Sequence, residues 1–198
     1  MNYQKVEFKI SASRADQFAR DGIPQIAFAG KSNVGKSSVI NRVLQRKKMA
    51  YVGNSPGKTI HINYFLVDDT AYLVDLPGYG YAKVSQAEKA HWARLMENYF
   101  AAGLITLGIL IVDARHAPTG NDVTMAKWFQ DTGCPFIVVA NKLDKLKKRE
   151  IEPNLQKIRE ILSLSEDTLL LPFSAEKGTG REELVARIEA AAGGENNR

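Results

Sequence analysis

With 198 residues, of which 44% are hydrophobic and 25% are charged, the chain is too apolar for a disordered tail and too varied for a fibrous repeat. This length predicts one compact domain over residues 1–198, with a frayed tail at 193–198. The formal charge of +5 favours an anionic partner. The chain has no apolar run long enough to cross a membrane, and charged residues interrupt the apolar ones at its N-terminus, so a cytoplasmic location without membrane insertion is predicted. A monomer is expected.

Short apolar runs alternate with longer amphipathic segments along almost the whole chain, which indicates βα units and a mainly parallel sheet. Residues 1–22 precede the first apolar run and are expected to form an N-terminal extension. Six strands are predicted, at 26–29, 64–67, 71–74, 107–112, 136–140 and 169–171. Only three residues separate the second strand from the third, so this pair is expected to be an antiparallel hairpin at the edge of the sheet.

The first predicted strand runs directly into a segment with the pattern G-x-x-x-x-G-K-[ST]. Its residues are Gly30, Lys31, Ser32, Asn33, Val34, Gly35, Lys36 and Ser37. Amides in such a loop converge on phosphate oxygens at the positive end of the following helix. Lys36 is predicted to contact the β and γ phosphates, and Ser37 to bind Mg²⁺. A chance glycine-rich turn is the alternative for this motif alone.

A D-x-x-G motif follows the third predicted strand. Its residues are Asp75, Leu76, Pro77 and Gly78. A carboxylate at this strand end can hold Mg²⁺ through water, and the Gly78 amide can reach the γ-phosphate. An ordinary turn from strand to loop is the alternative.

The next segment predicts a helix from Ser85 to about Phe100, because Ser85 and Glu88 stand at capping-box spacing. Four apolar residues then recur on one face: Trp92, Leu95, Met96 and Tyr99. Core packing is the favoured interpretation of this stripe, and a partner surface is the alternative.

An N-K-x-D motif follows the fifth predicted strand, and it indicates which base is bound. Its residues are Asn141, Lys142, Leu143 and Asp144. The Asp144 carboxylate can accept hydrogen bonds from guanine N1–H and the 2-amino group, whereas adenine offers neither donor. Lys142 is expected along the base plane, and Asn141 is expected to tie this loop to the phosphate loop. A polar loop with a helix cap is the alternative.

The last predicted strand is followed by Phe173, a predicted nucleotide contact, and then by Ser174 and Ala175. Glu176, Lys177 and Gly178 come next, and the backbone amides of this turn are expected near guanine O6. Thr179 and Glu182 repeat the capping spacing and predict a last helix that ends near residue 193. Four motifs in this order, each beyond a strand end, favour a guanine nucleotide site. The predicted fold is a three-layer α/β P-loop NTPase of the small GTPase type, with a mixed, mainly parallel six-stranded sheet and one antiparallel edge strand.

Further residues resemble the EngB (YihA/YsxC) family of translation-factor-like GTPases. The resemblance rests on Asn33, on residues 55–59 (SPGKT) and on residues 75–82 (DLPGYGYA). It implies a first switch loop whose nucleotide contacts are Gly57, Lys58, Thr59, Ile60 and His61. In that loop Thr59 is implied to bind Mg²⁺ and to sense the γ-phosphate, so that Lys36, Thr59 and Gly78 are the predicted catalytic residues. The resemblance also implies a role in large ribosomal subunit assembly, linked to cell division and septation.

Tyr79 occupies the position at which many GTPases carry a glutamine that orients the attacking water. A phenol is a poor substitute for this amide, so slow intrinsic hydrolysis is expected, stimulated by a partner or by a monovalent cation. Similar GTPases with an asparagine at the position of Asn33 use K⁺, which makes Asn33 a candidate K⁺ ligand. Alternatively, Asn33 merely tolerates the backbone conformation of the loop.

Two basic segments are candidate contacts with the phosphates of ribosomal RNA. They contain Arg42, Arg46, Lys47, Lys48, Lys142, Lys145, Lys147, Lys148 and Arg149. A solvated charged face is the equally weighted alternative. The predicted function is a GTP-driven switch, and two alternatives stay open: a binding module stabilised by nucleotide with negligible turnover, and an ATP-dependent phosphotransferase.

Overall fold

The structure is a computed structural model that describes residues 1–51, 60–80 and 84–193. Within these ranges seven strands form one sheet: β1 (Val6–Ala12), β2 (Gln25–Gly30), β3 (Ile62–Val67), β4 (Ala71–Asp75), β5 (Ile105–Asp113), β6 (Phe136–Asn141) and β7 (Leu170–Pro172). The α-helices of the same ranges are α1 (Lys36–Leu44), α2 (Gln86–Ala101), α3 (Gly120–Asp131), α4 (Lys148–Ile161) and α5 (Arg181–Gly193).

The sheet has the strand order β1-β3-β4-β2-β5-β6-β7. From β4 to β7 every neighbouring pair is parallel, whereas β3 runs antiparallel to both β1 and β4. The sheet is therefore mixed and mainly parallel, and the predicted β3–β4 hairpin is confirmed.

Strand β1 is not among the six predicted strands, and its presence makes β3 an inner strand rather than the edge. It alternates exposed Glu7 and Lys9 with half-buried apolar residues. Charged side chains of this kind protect an edge strand from pairing with other chains, but they also weaken its apolar signal. Residues 6–12 of the predicted N-terminal extension thus belong to the sheet.

Helices cover both faces of the sheet. On one face α1 and α5 bury Ile40, Leu44 and Leu184 in a common cluster. On the other face α2 and α3 bury Tyr99 and Phe129, and α4 completes that layer. This arrangement of helices, sheet and helices is the three-layer α/β architecture that the alternating pattern predicts.

Helix α2 begins as predicted, because the Glu88 amide donates to Ser85 Oγ (3.1 Å) and the Ser85 amide donates to the Glu88 carboxylate (2.8 Å). Three residues of its apolar stripe are buried, which confirms core packing: Leu95, Met96 and Tyr99.

Helix α5 begins later than its predicted cap. Gly180 has a φ of +79°, a left-handed conformation that cannot lie inside a helix, so α5 begins at Arg181 and the predicted Thr179–Glu182 capping box is wrong. The helix continues to Gly193, the last residue that the structure describes. The predicted tail, apart from that residue, lies outside the described residues and stays a prediction. Among the helices of the described ranges, none combines the length and apolar character that a membrane span requires.

Candidate nucleotide-binding site

The carboxyl ends of the parallel strands meet at one edge of the sheet, where α/β proteins bind their ligands. Gly30 ends β2, Asp75 ends β4, Asp113 ends β5 and Asn141 ends β6. The sequence motifs that lie far apart along the chain are therefore brought to a single edge.

The phosphate loop between β2 and α1 is tightly turned. Asn33 and Gly35 have φ angles of +65° and +94°, in the left-handed region that glycine and asparagine tolerate best. A Cβ atom at Gly30 would lie 2.9 Å from Val34 Cγ1 and 3.0 Å from the Ile111 carbonyl oxygen. The predicted sequence of strand, loop and helix is confirmed.

A buried ion pair joins this loop to the end of β4. Lys36 Nζ donates a hydrogen bond to Asp75 Oδ1, and only 10% of the lysine side chain and 2% of the aspartate side chain are exposed. Asp75 Oδ2 is also buried, and it has no hydrogen-bond partner within the described residues. Burial raises the pKa of Asp75, and the Lys36 ammonium only partly offsets this effect. The unpaired oxygen is an acceptor suited to a hydrated cation.

The D-x-x-G segment lies directly against the phosphate loop. The Tyr79 carbonyl oxygen accepts hydrogen bonds from the Ser32 amide (2.9 Å) and from Ser32 Oγ (3.0 Å). A Cβ atom at Gly78 would lie 3.2 Å from Ser32 Oγ. On the outer side, Trp92 Nε1 donates to the Pro77 carbonyl oxygen (3.1 Å). These contacts hold the segment between the phosphate loop and α2.

The Tyr79 side chain is an anchor in the hydrophobic layer rather than a group at the phosphate loop. Its hydroxyl donates to Asp122 Oδ1 in α3 at 2.6 Å, and 5% of the residue is exposed. Its ring meets Trp92 edge to face, with centroids 6.2 Å apart. Burial, together with the neighbouring Asp122 carboxylate, raises the pKa of Tyr79 well above its usual value, so the phenol stays protonated.

Asn141 connects the phosphate loop to the loop after β7. Its Nδ2 donates to the Val34 carbonyl oxygen (3.1 Å), and its Oδ1 accepts from the Ala175 amide (3.1 Å). The predicted tie between the N-K-x-D motif and the phosphate loop is confirmed, and the same side chain fixes the S-A segment.

Lys142 also reaches the phosphate loop. Its Nζ donates to the Asn33 carbonyl oxygen (3.0 Å) and pairs with Asp113 Oδ2 (3.1 Å). Burial raises the pKa of Asp113, but hydrogen bonds from Arg115 and Lys142 outweigh it and hold the pKa well below its usual range. An ionised Asp113 therefore fixes the position of Lys142.

Both oxygens of the Asp144 carboxylate contact neighbouring side chains. Ser174 Oγ donates to Asp144 Oδ1 at 2.6 Å and accepts from the Lys177 amide at 3.0 Å. Lys145 Nζ lies 3.2 Å from Asp144 Oδ2. The Ser174 hydrogen bond is the main cause that lowers the pKa of Asp144, so its carboxylate is ionised at neutral pH.

Three predicted nucleotide contacts have side chains buried in the core: Val34, Leu76 and Phe173. The Leu76 amide donates to the Phe28 carbonyl oxygen (3.0 Å), so neither its side chain nor its amide faces a ligand. The Phe173 carbonyl oxygen accepts from the Leu143 amide (3.0 Å), which joins the two base loops. These three residues therefore anchor the loops of the site in the hydrophobic core.

The predicted first switch lies mostly outside the described residues, which omit Gly57, Lys58 and Thr59. Ile60 is half-buried and packs against the hydrophobic cluster that contains α2. His61 is half-buried, and its Nδ1 has no hydrogen-bond partner within the described residues. Burial lowers the pKa of His61, so its imidazole is neutral at pH 7.

Three residues that hold the site together are absent from the sequence prediction as site residues: Trp92, Asp113 and Asp122. Asp113 ends a strand at the ligand edge, a position that could have identified it. Asp122 follows Thr119 at capping-box spacing, which predicts a helix start but not the bond to Tyr79. Trp92 belongs to the predicted core stripe, and its bond to Pro77 has no signal in the sequence.

Comparison with known proteins identifies the family. The sequence model of a family described as 50S ribosome-binding GTPase matches residues 25–142. The probable GTP-binding protein EngB of Clostridium beijerinckii is 46% identical over 189 residues, which are 95% of this chain and 96% of that protein. The chain belongs to the EngB family of GTP-binding proteins. The resemblance found in the sequence is therefore confirmed, and the protein is a member of a GTPase family.

Other EngB proteins and solved structures agree with this assignment. An EngB protein of Geobacillus sp. is 42% identical over 190 residues, covering 96% of this chain and 98% of that protein. A crystal structure of a probable GTP-binding protein EngB matches with a TM-score of 0.67 at 27% identity, covering 85% of this chain and 98% of that one. Era of Aquifex aeolicus matches with a TM-score of 0.63 at 24% identity, over 84% of this chain and 56% of Era, which shows a common fold.

Proposed function

We propose that this EngB protein is a Mg²⁺-dependent GTP switch with slow intrinsic hydrolysis that acts in assembly of the large ribosomal subunit. The observation that carries the proposal is the hydrogen bond from Ser174 Oγ to the Asp144 carboxylate, in the same motif as Lys142, which donates to the phosphate loop. The Ser174 hydrogen bond also lowers the pKa of Asp144. The two carboxylate oxygens match the two adjacent donors of guanine, whereas adenine has neither donor and would make no hydrogen bond with this carboxylate.

Base selection can be tested by measuring the affinities for GDP and ADP in the same buffer. GDP is expected to bind at least about 10⁴-fold more tightly, as in sites whose polar partners the wrong ligand leaves unpaired. A preference for ADP would contradict the proposal and favour the ATP-dependent phosphotransferase.

The residues present fit a magnesium ion. Ser37 follows the P-loop lysine, and Asp75 offers a buried oxygen that has no partner among the described residues. Hydroxyl, carboxylate and water oxygens are the ligands that Mg²⁺ prefers. Bound Mg²⁺ supplies positive charge to the β- and γ-phosphate oxygens. Thr59, the third predicted ligand, lies outside the described residues and stays a prediction.

The magnesium assignment can be tested with Asp75→Asn. This variant keeps a hydrogen-bond acceptor for Lys36 but removes the negative charge, so the dependence of GTP affinity on Mg²⁺ concentration is expected to weaken. A variant with an unaltered Mg²⁺ titration would contradict a role of Asp75 at the metal.

Slow hydrolysis is supported by the anchoring of Tyr79. Its hydroxyl donates to Asp122 in α3, and a phenol has no side-chain amide of the kind that orients water in other GTPases. Lys36 and the Gly78 amide are the described groups proposed to stabilise charge on the γ-phosphate.

Stimulation by K⁺ through Asn33 is a second part of the proposal. Asn33 is exposed at the mouth of the loop, although its positive φ alone accounts for an asparagine there. Turnover in KCl and in NaCl at equal ionic strength distinguishes the two interpretations. Equal rates would leave only the conformational role.

The ribosomal role is supported by the description of the matched family and by exposed basic residues near the site. Residues 46–48 and 147–149 carry six cationic side chains, and all of them are exposed. Arg42 and Lys142, which belong to the same predicted basic segments, are engaged in contacts inside the protein. The link to cell division and septation stays a prediction.

Single-turnover GTP hydrolysis with and without purified large ribosomal subunits tests this role. Faster hydrolysis and tighter subunit binding with GTP than with GDP are expected. Unchanged hydrolysis with nucleotide-independent binding would favour the binding module with negligible turnover.

A further inference from the structure

In the turn between β7 and α5, three amides of residues 174–180 donate no hydrogen bond within the described ranges: those of Glu176, Thr179 and Gly180. The Glu176 amide is the one that directly follows the S-A segment. Four residues of the turn donate their amides within the protein: Ser174, Ala175, Lys177 and Gly178. The Ala175 amide, which the sequence places near guanine O6, is already bound to Asn141 Oδ1 (3.1 Å).

The guanidinium of Arg42 holds the two carbonyl groups on either side of this amide. Its Nε lies 2.5 Å from the Ala175 carbonyl oxygen, and its Nη2 lies 2.6 Å from the Glu176 carbonyl oxygen. The Ala175 carbonyl and the Glu176 amide are the two ends of one peptide group. Because a trans peptide is planar, with C=O and N–H pointing in opposite directions, a fixed carbonyl also fixes the direction of the amide.

Arg42 is a rigid support for this peptide. It is half-buried in the last turns of α1, the helix that begins at the phosphate loop. Arg181 of α5 donates to the carbonyl oxygens of Arg42 (2.9 Å) and Val43 (3.0 Å), so the end of α1 is fixed as well. The planar guanidinium presents its donors in a fixed geometry, which suits it to two neighbouring acceptors.

We propose that Arg42 is a positioning residue for guanine recognition, because it orients the Glu176 amide as a hydrogen-bond donor to guanine O6. The charged donor also polarises the peptide group and strengthens the amide as a donor. The assignment rests on the proposed guanine site, in which Asp144 reads N1–H and the 2-amino group. It adds a residue of α1, remote in sequence from the base motifs, to the determinants of base specificity.

Two guanine analogues separate the contribution of Arg42 from that of Asp144. The diphosphate of 6-thioguanosine replaces only O6, by a larger and weaker acceptor, and retains N1–H and the 2-amino group. Inosine diphosphate lacks only the 2-amino group. The affinities of the wild type, Arg42→Ala and Arg42→Lys for GDP and both analogues are measured by competition.

The wild type is expected to prefer GDP over both analogues. In Arg42→Ala the preference for GDP over the 6-thio analogue falls about fivefold, the value of one lost hydrogen bond, while the preference for GDP over inosine diphosphate is unchanged. Arg42→Lys has a compact ammonium that cannot hold both carbonyls in the same geometry, so a smaller decrease of the same ratio is expected.

Arg46→Ala is the matched control. Arg46 lies four residues further along, is exposed, and donates to the Gln4 carbonyl oxygen instead of to the base loop. Both preference ratios should remain at the wild-type values in this variant.

The proposal would be overturned by a wild type that binds GDP and the 6-thio analogue equally, or by an unchanged 6-thio ratio in both Arg42 variants. A decrease of both ratios by the same factor would also overturn it, since that outcome describes general loosening of the loop. A wild type that prefers ADP to GDP would instead contradict the proposed function itself.

Discussion

The base side and the phosphate side of the site differ in how completely the protein pairs their polar groups. On the base side, Asn141 and Ser174 join three loops, and Asp144 is both oriented and ionised. On the phosphate side, Lys36 and Asp75 pair with each other, and one oxygen of Asp75 has no partner within the described residues. The base side is therefore organised by the protein itself, whereas on the phosphate side the described residues contribute the Lys36–Asp75 ion pair.

This difference indicates how the two sides respond to substitution. Changes on the phosphate side should alter the affinity for every nucleotide and the stability of the protein. Changes on the base side should alter which base is preferred. The following variants test that division, from the largest expected effect to the smallest.

Lys36→Ala should have the largest effect on overall affinity. It removes a charged donor to the phosphates, so affinity for GTP should fall about 10²-fold or more. It also leaves Asp75 buried without its partner, which should lower the free energy of unfolding by about 3 kcal/mol. Fluorescent nucleotide titration and urea unfolding measure the two effects.

Lys48→Ala, which removes an exposed lysine after α1, is the control and should change neither quantity. If Lys36→Ala kept wild-type affinity, the phosphate loop would not be the nucleotide site.

Tyr79→Phe should affect stability more than chemistry. The lost hydrogen bond joins a buried phenol to the Asp122 carboxylate, so the free energy of unfolding should fall by about 2 kcal/mol. Hydrolysis of GTP should stay within about twofold of the wild type, since the hydroxyl is committed to α3.

Tyr72→Phe provides the comparison, because its hydroxyl donates to Asp21 (2.7 Å) away from the site. A tenfold or larger loss of hydrolysis in Tyr79→Phe without loss of stability would assign the phenol a catalytic role.

Ser174→Ala should have the smallest effect. It removes the hydrogen bond that orients Asp144 and lowers its pKa, so affinity for GDP should fall about fivefold. The wild-type carboxylate stays charged below the usual pKa of an aspartate, and affinity is lost as the pH falls through the lowered value. In the variant this loss should begin at higher pH. If the affinity for GDP fell over the same acidic pH range in the variant and in the wild type, this role of Ser174 would be contradicted.

The sequence predicts the inner strands and the motifs well, for separate physical reasons. Strands such as β5 and β6 are covered on both faces and are therefore mostly apolar. Motif residues such as Lys36 and Asp144 stand at spacings that phosphate and guanine chemistry require, so they are recognisable without a structure.

The parts of the fold and of the site that the sequence does not predict depend mostly on contacts between residues that are distant along the chain. The edge strand β1 has one solvated face and carries little apolar signal. The bond of Tyr79 to Asp122, that of Trp92 to Pro77 and those of Arg42 to the base loop are set by packing of helices on the sheet. No local pattern specifies such pairs.

The central claim, that the Asp144 carboxylate selects guanine, is tested most directly with Asp144→Asn. Asparagine presents one acceptor and one donor, which match the N1–H and the 2-carbonyl of xanthine instead of the two donors of guanine. The variant is predicted to bind xanthosine diphosphate at least about 10²-fold more tightly than GDP, a reversal of the wild-type order. A variant that still prefers GDP would contradict the claim.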